Sequence, residues 1–234
     1  MKIAVIVPAY NESINIKNVV EELIAIAKAE RLLLTIIVVN DCSTDDTAHI
    51  IDLLPCIALH LPINLGIGGA MQTGFKFAFQ NNFDFAIQVD GDGQHPASEL
   101  SKIIAGAAEN NWDITIGSRY LRNDGFQSTR SRRIGIKYFS RLNKLLTGFE
   151  IYDTTSGFRL LNKKAIAVVN NYYPDEYPEP ESIVLYSKNK LRIGEVQVQM
   201  RERQGGISSI NSAAAIYYML KVTLSTVFTR IRSY

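Results

Sequence analysis

Gln88-Val89-Asp90-Gly91-Asp92-Gly93-Gln94-His95-Pro96 closes an apolar run, Phe83 to Val89, that reads as a buried strand. The stretch ends in two carboxylates, two glycines, an amide and a turn-forming His-Pro. Side chains alternate faces in an extended chain, so Asp90, Asp92 and Gln94 point the same way at the strand's end. Three oxygen-bearing groups so placed suit a hard divalent cation, Mg2+ or Mn2+. An Asp-Gly turn that merely reverses the chain has the same composition, and the surroundings have to separate the two readings.

Those surroundings repeat one pattern. Ile3 to Val7 is a β-branched run closed by Pro8-Ala9-Tyr10-Asn11-Glu12. Asn11 or Ser13 can cap a helix over 14–29, with Ile16, Val19, Val20, Leu23, Ile24 and Ala27 at helical spacing. A second strand, 32–39, ends in Asn40-Asp41, and Ser43 or Thr44 caps a short helix through Leu54. A third, 57–61, ends near Asn64; Gly66-Ile67-Gly68-Gly69 then leads into a helix over 70–79. After the opening stretch come a helix over 96–108 and a strand over 113–117. Strands alternating with helices through short connections predict a parallel sheet covered on both faces. Such sheets bind ligands outside the carboxyl ends of their strands. Asn11, Glu12, Asp41, Asn64, Asp90 and Asp92 all fall there.

The bulk numbers exclude several classes. A chain of 234 residues, 47% hydrophobic and 21% charged, fits one large globular domain. A net charge of +2 is too small to imply a nucleic-acid partner. Two cysteines, Cys42 and Cys56, fit a reducing cytoplasm better than a disulfide scaffold. The run Ile3 to Val7 is too short for a secretory signal core, and no apolar segment reaches the roughly 20 residues that span a bilayer.

The second half is less regular. Residues 125–133 form a polar, basic loop, 134–146 a helix, and Asp153-Thr154-Thr155-Ser156-Gly157-Phe158-Arg159 a turn that starts a strand. Residues 172–180 hold three prolines and three tyrosines and read as loop. A helix over 181–189, a strand over 192–200 and a basic loop over 201–209 follow. His95 reads as a turn or orienting residue, His49 and His60 as structural or exposed, and the three form no zinc-type cluster.

Five stretches occur in order: Val7-Pro8-Ala9-Tyr10-Asn11-Glu12, Val38 to Asp45, Asn64-Leu65-Gly66, Asp90 to Pro96, and Gly117-Ser118-Arg119-Tyr120. The ordered set resembles the family 2 glycosyltransferases of GT-A fold, and among them the dolichyl- and undecaprenyl-phosphate sugar transferases. The resemblance covers about the first 160 residues and, more loosely, the loop around Arg203. It implies an inverting, metal-dependent hexosyltransferase with a mixed, mostly parallel sheet and a UDP- or GDP-type nucleotide-sugar donor. Pro8, Ala9, Tyr10, Glu12, Asp41, Asn64, Gly69, Asp90 and Gly91 would line the donor site. Asp92, Gln94 and Asp90 would hold Mg2+ or Mn2+. Arg119, Arg133 and Arg203 would face the acceptor, with Arg119 also counted among the catalytic residues. The whole chain would form one domain: a donor half over 1–118, an acceptor half over 119–209 and an amphipathic helix over 210–234.

Two acceptors stay open. Arginines match phosphate oxygens bidentately and favour a polyprenyl phosphate, but Ser209 stands where that branch of the family has lysine. A hydroxyl on a lipid-linked glycan would need a carboxylate base. Glu181, at the start of a helix, is the candidate, with Glu179 and then Asp153 behind it. The tail, 210–232, alternates apolar residues with Lys221, Arg230 and Arg232, which fits a helix lying on the inner face of a membrane or one packed on protein, including a second copy. From other classes, a sugar-phosphate nucleotidylyltransferase should show a Gly-rich loop with a basic residue where Pro8 to Glu12 stand. A non-catalytic nucleotide-sugar-binding partner of a membrane protein would differ by its lack of turnover.

Overall fold

The structure, a computed structural model, describes residues 1–121, 130–201 and 212–232; at 130–132 and 212–216 it describes the helical backbone alone. In chain order the elements are β1 (Ile3–Ala9), α1 (Ile16–Ala29), β2 (Leu34–Asn40), α2 (Thr47–Asp52), β3 (Ile57–His60), α3 (Gly66–Gln80) and β4 (Phe85–Gln88). A 3-10 turn at Ala97–Glu99 leads into α4 (Leu100–Asn110), followed by β5 (Ile114–Ser118), α5 (Arg130–Thr147) and β6 (Arg159–Asn162). The chain continues as α6 (Lys163–Asn171), α7 (Pro178–Lys188), β7 (Ile193–Gln197) and α8 (Ser212–Ile231).

Seven strands form one sheet in the order β3-β2-β1-β4-β6-β5-β7. β3, β2, β1 and β4 pair in parallel, as expected from their alternation with helices. β6 departs from that pattern and runs antiparallel to both β4 and β5, while β7 pairs in parallel with β5. The physical consequence is local. An antiparallel strand begins where its neighbours end, so the Asp153–Gly157 turn that feeds β6 enters beside the carboxyl ends of β4 and β5. A wholly parallel sheet would have placed that turn on the opposite edge.

β1 is buried at every residue. Its side chains alternate between two cores. Ile3, Val5 and Val7 pack with α1, α2 and α4 on one face, while Ala4 and Ile6 pack with α3, α6 and α7 on the other. The continuous apolar runs of the first four strands follow from this two-sided burial. α7 is buried on nearly all sides because α5 and α8 cover its outer surface, adding a layer beyond the sheet. Among the described residues no helix is long and apolar enough to cross a membrane.

Several local expectations change. α1 begins after Asn15, not with Asn11 or Ser13 as cap, because those residues are drawn into hydrogen bonds with the loop after β2. α2 likewise begins after Asp46, not at Ser43 or Thr44. α6 was not anticipated, and α7 starts at Pro178, inside the stretch read as loop. Proline is tolerated at the first helical position, where its missing N–H has no partner to lose. The Gly66–Gly69 run forms the first turn of α3. Gly68 donates its N–H to Asp175 O at 2.8 Å, and a Cβ there would lie 2.0 Å from that oxygen.

Because the obstacle at Gly68 is backbone, Gly68→Ala should cost about 1–3 kcal/mol through forced separation of α3 from the Pro174–Asp175 segment. A urea melt should show a lower midpoint with an unchanged slope. An unchanged midpoint would mean that this contact opens without cost.

Candidate functional site

The strand register brings the polar loops to one level. Ala9 pairs with Asn40, and Ile6 with Gln88, so Pro8 stands opposite the level of Asp90, two residues further along each strand. A Cβ on Gly91 would come within 2.9 Å of Pro8 O, so the opening motif runs against the end of β1. The loops after β1 and β2 are stitched together. Asn11, with φ of 55°, accepts at Oδ1 from Thr44 N (2.8 Å), and its own N–H donates to Ser43 Oγ (3.0 Å). Glu12 N donates to Thr47 Oγ1 and Ser13 N to Asp45 Oδ2. Partial burial works to raise the Asp45 carboxyl, but hydrogen bonds from Thr47 and Ser13 win and hold it down at about 2. Tyr10 remains exposed at the rim.

Asp41 is buried and caps α3: Oδ1 accepts from Leu65 N (2.7 Å) and Oδ2 from Gly66 N (2.8 Å). Asn64 donates its side-chain amide to Asp41 O. Both residues therefore reach the expected end of the sheet, and both already hold the β3–α3 connection in place. Gly69 lies in the first turn of α3, where an added Cβ would meet its own helix at Leu65 Cβ, 2.4 Å away. With the Gly68 amide engaged by Asp175, these glycines serve close packing here.

At the end of β4, Asp90 is held from three sides. Its N–H donates to His95 Nδ1 (3.0 Å), its Oδ1 accepts from Gln88 Nε2 (2.9 Å), and its Oδ2 lies 3.6 Å from His95 Nε2. His95 is buried and stacks on Phe158 at 4.7 Å. Since Nδ1 accepts, the neutral ring carries its proton on Nε2, toward Asp90. This is the orienting role read for His95. Asp92 accepts from Gln94 twice, from N at 3.0 Å and Nε2 at 2.7 Å. Among the described residues no group of three or more His, Cys, Asp and Glu side chains comes together to hold a metal by itself.

Across the site, Arg119 leaves β5 and grips Asp153, with Nε to Oδ2 at 2.7 Å and Nη2 to Oδ1 at 2.8 Å. Asp153 is wholly buried, and its N–H is in turn anchored on Glu195 Oε1 (2.8 Å). Burial opposes the charge on Arg119, but the bonds to Asp153 prevail and hold it above its ordinary range; Asp90 adds to that rise. Asp153 is thereby a partner of Arg119 and no longer resembles a free base. Burial also pushes the Glu195 carboxyl up.

The two glutamates of α7 part company. Glu181 accepts from Thr229 Oγ1 (2.6 Å) and Tyr172 OH (3.2 Å), which turns it toward α8. It lines a cavity of about 220 Å³ with Tyr177 and Lys221. Glu179 is set apart by its charge environment. Burial raises its carboxyl against the attraction of Arg159; Asp90 adds to the rise and Arg119 opposes it. Arg133 stands partly exposed near the start of α5, and Arg203 lies outside the described residues.

Two site-supporting residues were not singled out from sequence. Arg159 is fully buried and donates to Ser156 O, Thr154 O and Ser182 Oγ, tying the site turn to α7. Glu195 clamps that turn through Tyr152 and Asp153 N–H. Each is the lone charge of its short strand, and that was the signal available.

The seven-stranded sheet with its helices has the GT-A arrangement. The family model for glycosyl transferase family 2 matches residues 4–169, and the chain belongs to that family. It is 31% identical, over 84% of each chain, to UDP-N-acetylglucosamine--dolichyl-phosphate N-acetylglucosaminyltransferase of Methanococcus voltae. It is 26% identical to polyprenol monophosphomannose synthase of Mycolicibacterium smegmatis, over 93% of this chain and 84% of that one. Among solved structures, glucosyl-3-phosphoglycerate synthase from Mycobacterium tuberculosis with Mn2+ and UDP-glucose superposes with a TM-score of 0.71. That match covers 98% of this chain and 78% of the other at 16% identity, and it is a likeness of fold.

Asp153→Ala should leave the Arg119 guanidinium, whose side chain is 11% exposed, without its carboxylate. Loss of one partner from a buried pair costs about 3–5 kcal/mol. Denaturant unfolding of the variant checks it, and a loss below about 1 kcal/mol would show that water replaces the pair freely.

Proposed function

We propose that the chain transfers a sugar, with inversion, from a nucleoside diphosphate sugar to a polyprenyl phosphate at the inner face of a membrane. The observation that carries this reading is the 31% identity, across 84% of both chains, to a dolichyl-phosphate N-acetylglucosaminyltransferase. The geometry supports it in two ways. Pro8 to Glu12, Asp41, Asn64 and Asp90 to Gln94 meet at one end of the sheet, where a nucleotide would lie. The acceptor side offers arginine, and its expected base, Glu181, is held by Thr229 and Tyr172.

A divalent ion fits these residues. Asp90 and Asp92 supply hard carboxylate oxygens, and Gln94 spends its Nε2 on Asp92, which leaves its Oε1 to a ligand. Mg2+ is commonly held by one or two carboxylates together with substrate phosphates, without a full protein cage. Bound there, Mg2+ or Mn2+ would neutralise the charge that develops on the departing diphosphate. A protein of the same fold holds Mn2+ and UDP-glucose.

The residues divide the remaining work. Gln88 and His95 orient the Asp90 carboxylate. The Asp41 cap and the Asn11–Thr44 stitch hold the walls of the donor site. Arg119, steadied by Asp153, sets positive charge beside the reacting groups, with Arg133 and Arg203 as further contacts for the acceptor phosphate. An acceptor phosphate oxygen attacks the anomeric carbon, the bond from that carbon to the diphosphate oxygen breaks, and the electron pair leaves with the nucleoside diphosphate. The attacking phosphate is already ionised, so no proton has to be removed.

Asp92→Asn should lower transfer by about a hundredfold or more at saturating Mn2+, since the metal contribution amounts to several kcal/mol. Glu181→Gln should keep its rate within a few-fold, roughly the effect of one lost neutral hydrogen bond. Thermal-shift assays should show stabilisation by UDP or GDP only with metal present. Wild-type turnover in Asp92→Asn would remove the metal assignment. A dead Glu181→Gln variant that still binds donor would favour a hydroxyl acceptor.

A further inference from the structure

We propose that the outer face of α5 and α8 docks on an anionic lipid bilayer. The two helices lie together over α7, with Phe139 edge-on to Tyr218 at 5.5 Å and Tyr138 OH bonded to Thr223 Oγ1 at 3.0 Å. Val222, Thr226 and Thr229 of α8 turn inward. Leu220, Leu224, Phe228 and Ile231 turn outward, spaced three and four apart, so they form one stripe. Leu224 is 57% exposed and Phe228 64%. α5 continues this apolar surface with Ile134, Tyr138 and Leu145, and the two stripes meet at the Tyr138–Thr223 bond. A run of large apolar side chains left in water on two adjoining helices marks a contact surface.

Charge identifies the occupant. Neither α5 nor α8 contains an aspartate or glutamate. Lys144 pairs with Glu150, and Lys221 with Glu176. Lys137, Arg141 and Arg230 are exposed, and among the described residues no carboxylate lies within ion-pair distance of them. An apolar stripe bordered by unpaired cations suits acyl chains below and lipid phosphates beside them. A second copy of the chain fits less well, since a two-fold contact would set this cationic face against itself.

The proposal rests on the reading that the acceptor is a lipid phosphate, and it supplies the route. Thr229 of α8 holds Glu181 of α7, and the buried Arg159 ties Ser182 of that same helix to Thr154 O in the site turn. A bilayer under α8 is thereby linked through α7 to the turn whose Asp153 holds Arg119.

The test is co-sedimentation with vesicles in the absence of donor and acceptor. Wild-type protein should bind phosphatidylcholine vesicles carrying about 30% phosphatidylglycerol at least about tenfold more tightly than pure phosphatidylcholine, and salt should weaken the binding. Leu224→Glu/Phe228→Glu should lose about tenfold or more, and Lys137→Glu/Arg141→Glu should lose as much on the anionic vesicles alone. Unchanged far-ultraviolet circular dichroism and melting would show that both doubles fold. Failure of wild-type protein to bind, or wild-type binding by both folded doubles, would overturn the proposal. So would a dimer abolished by Leu224→Glu/Phe228→Glu with no vesicle binding, which would assign the face to a second copy. None of these results bears on sugar transfer itself, which a detergent-solubilised acceptor measures separately.

Discussion

The two-sided burial of β1 is the constraint on which the rest of the structure depends. Hydrogen-bonded to β2 on one side and β4 on the other, with no exposed residue along Ile3–Ala9, it can neither slip nor twist free. A one-residue slip would exchange its two core faces. Its carboxyl end therefore sets the level at which Pro8 to Glu12, Asp41 and Asp90 meet. The hydrogen bonds of Asn11, Glu12 and Ser13 to the β2 loop carry that rigidity beyond the strands. The loops after β1 and β2 are thus held by the chain's own hydrogen bonds, the kind of fixed arrangement under which electrostatic stabilisation costs least reorganisation.

The first half of the chain was legible because burial writes a simple pattern. Strands covered on both faces become unbroken β-branched runs, and their carboxyl ends are where polar residues collect, so Asp41, Asn64 and Asp90 could be placed without coordinates. The second half was harder for physical reasons. The run Phe158 to Leu161 reads the same in either direction, so its antiparallel entry was hidden, and with it the reason the Asp153 turn reaches Asp90. Pro178 and Pro180 looked like loop because proline breaks helix interiors, although it is tolerated in a first turn. Glu179 and Glu181 are two apart on a helix and cannot face the same way. Sequence could name the pair but could not decide which one turns toward Thr229 of α8.

The end of the sheet gathers paired and oriented charge more than isolated reactive groups. Arg119 is held by Asp153, which is held in turn through its backbone by Glu195; Asp90 is held by Gln88 and His95, and Asp92 by Gln94. Each residue that would meet phosphate or metal has a second residue fixing its angle. Such an arrangement suits a reaction in which an ionised phosphate attacks and a diphosphate departs, since the need is to balance negative charge on both sides of one carbon. The outer layer of α5 and α8 adds an apolar and basic face to the second half of the chain.

The most direct test of this account is incubation of the purified protein with radiolabelled UDP- and GDP-sugars, Mn2+ and a short-chain polyprenyl phosphate in detergent. The account predicts label in an organic-extractable product that mild acid releases as free sugar, as expected for a sugar joined through its anomeric carbon to a lipid phosphate. Label confined to the water phase with every donor, or transferred equally well when a dephosphorylated polyprenol replaces the phosphate, would contradict it.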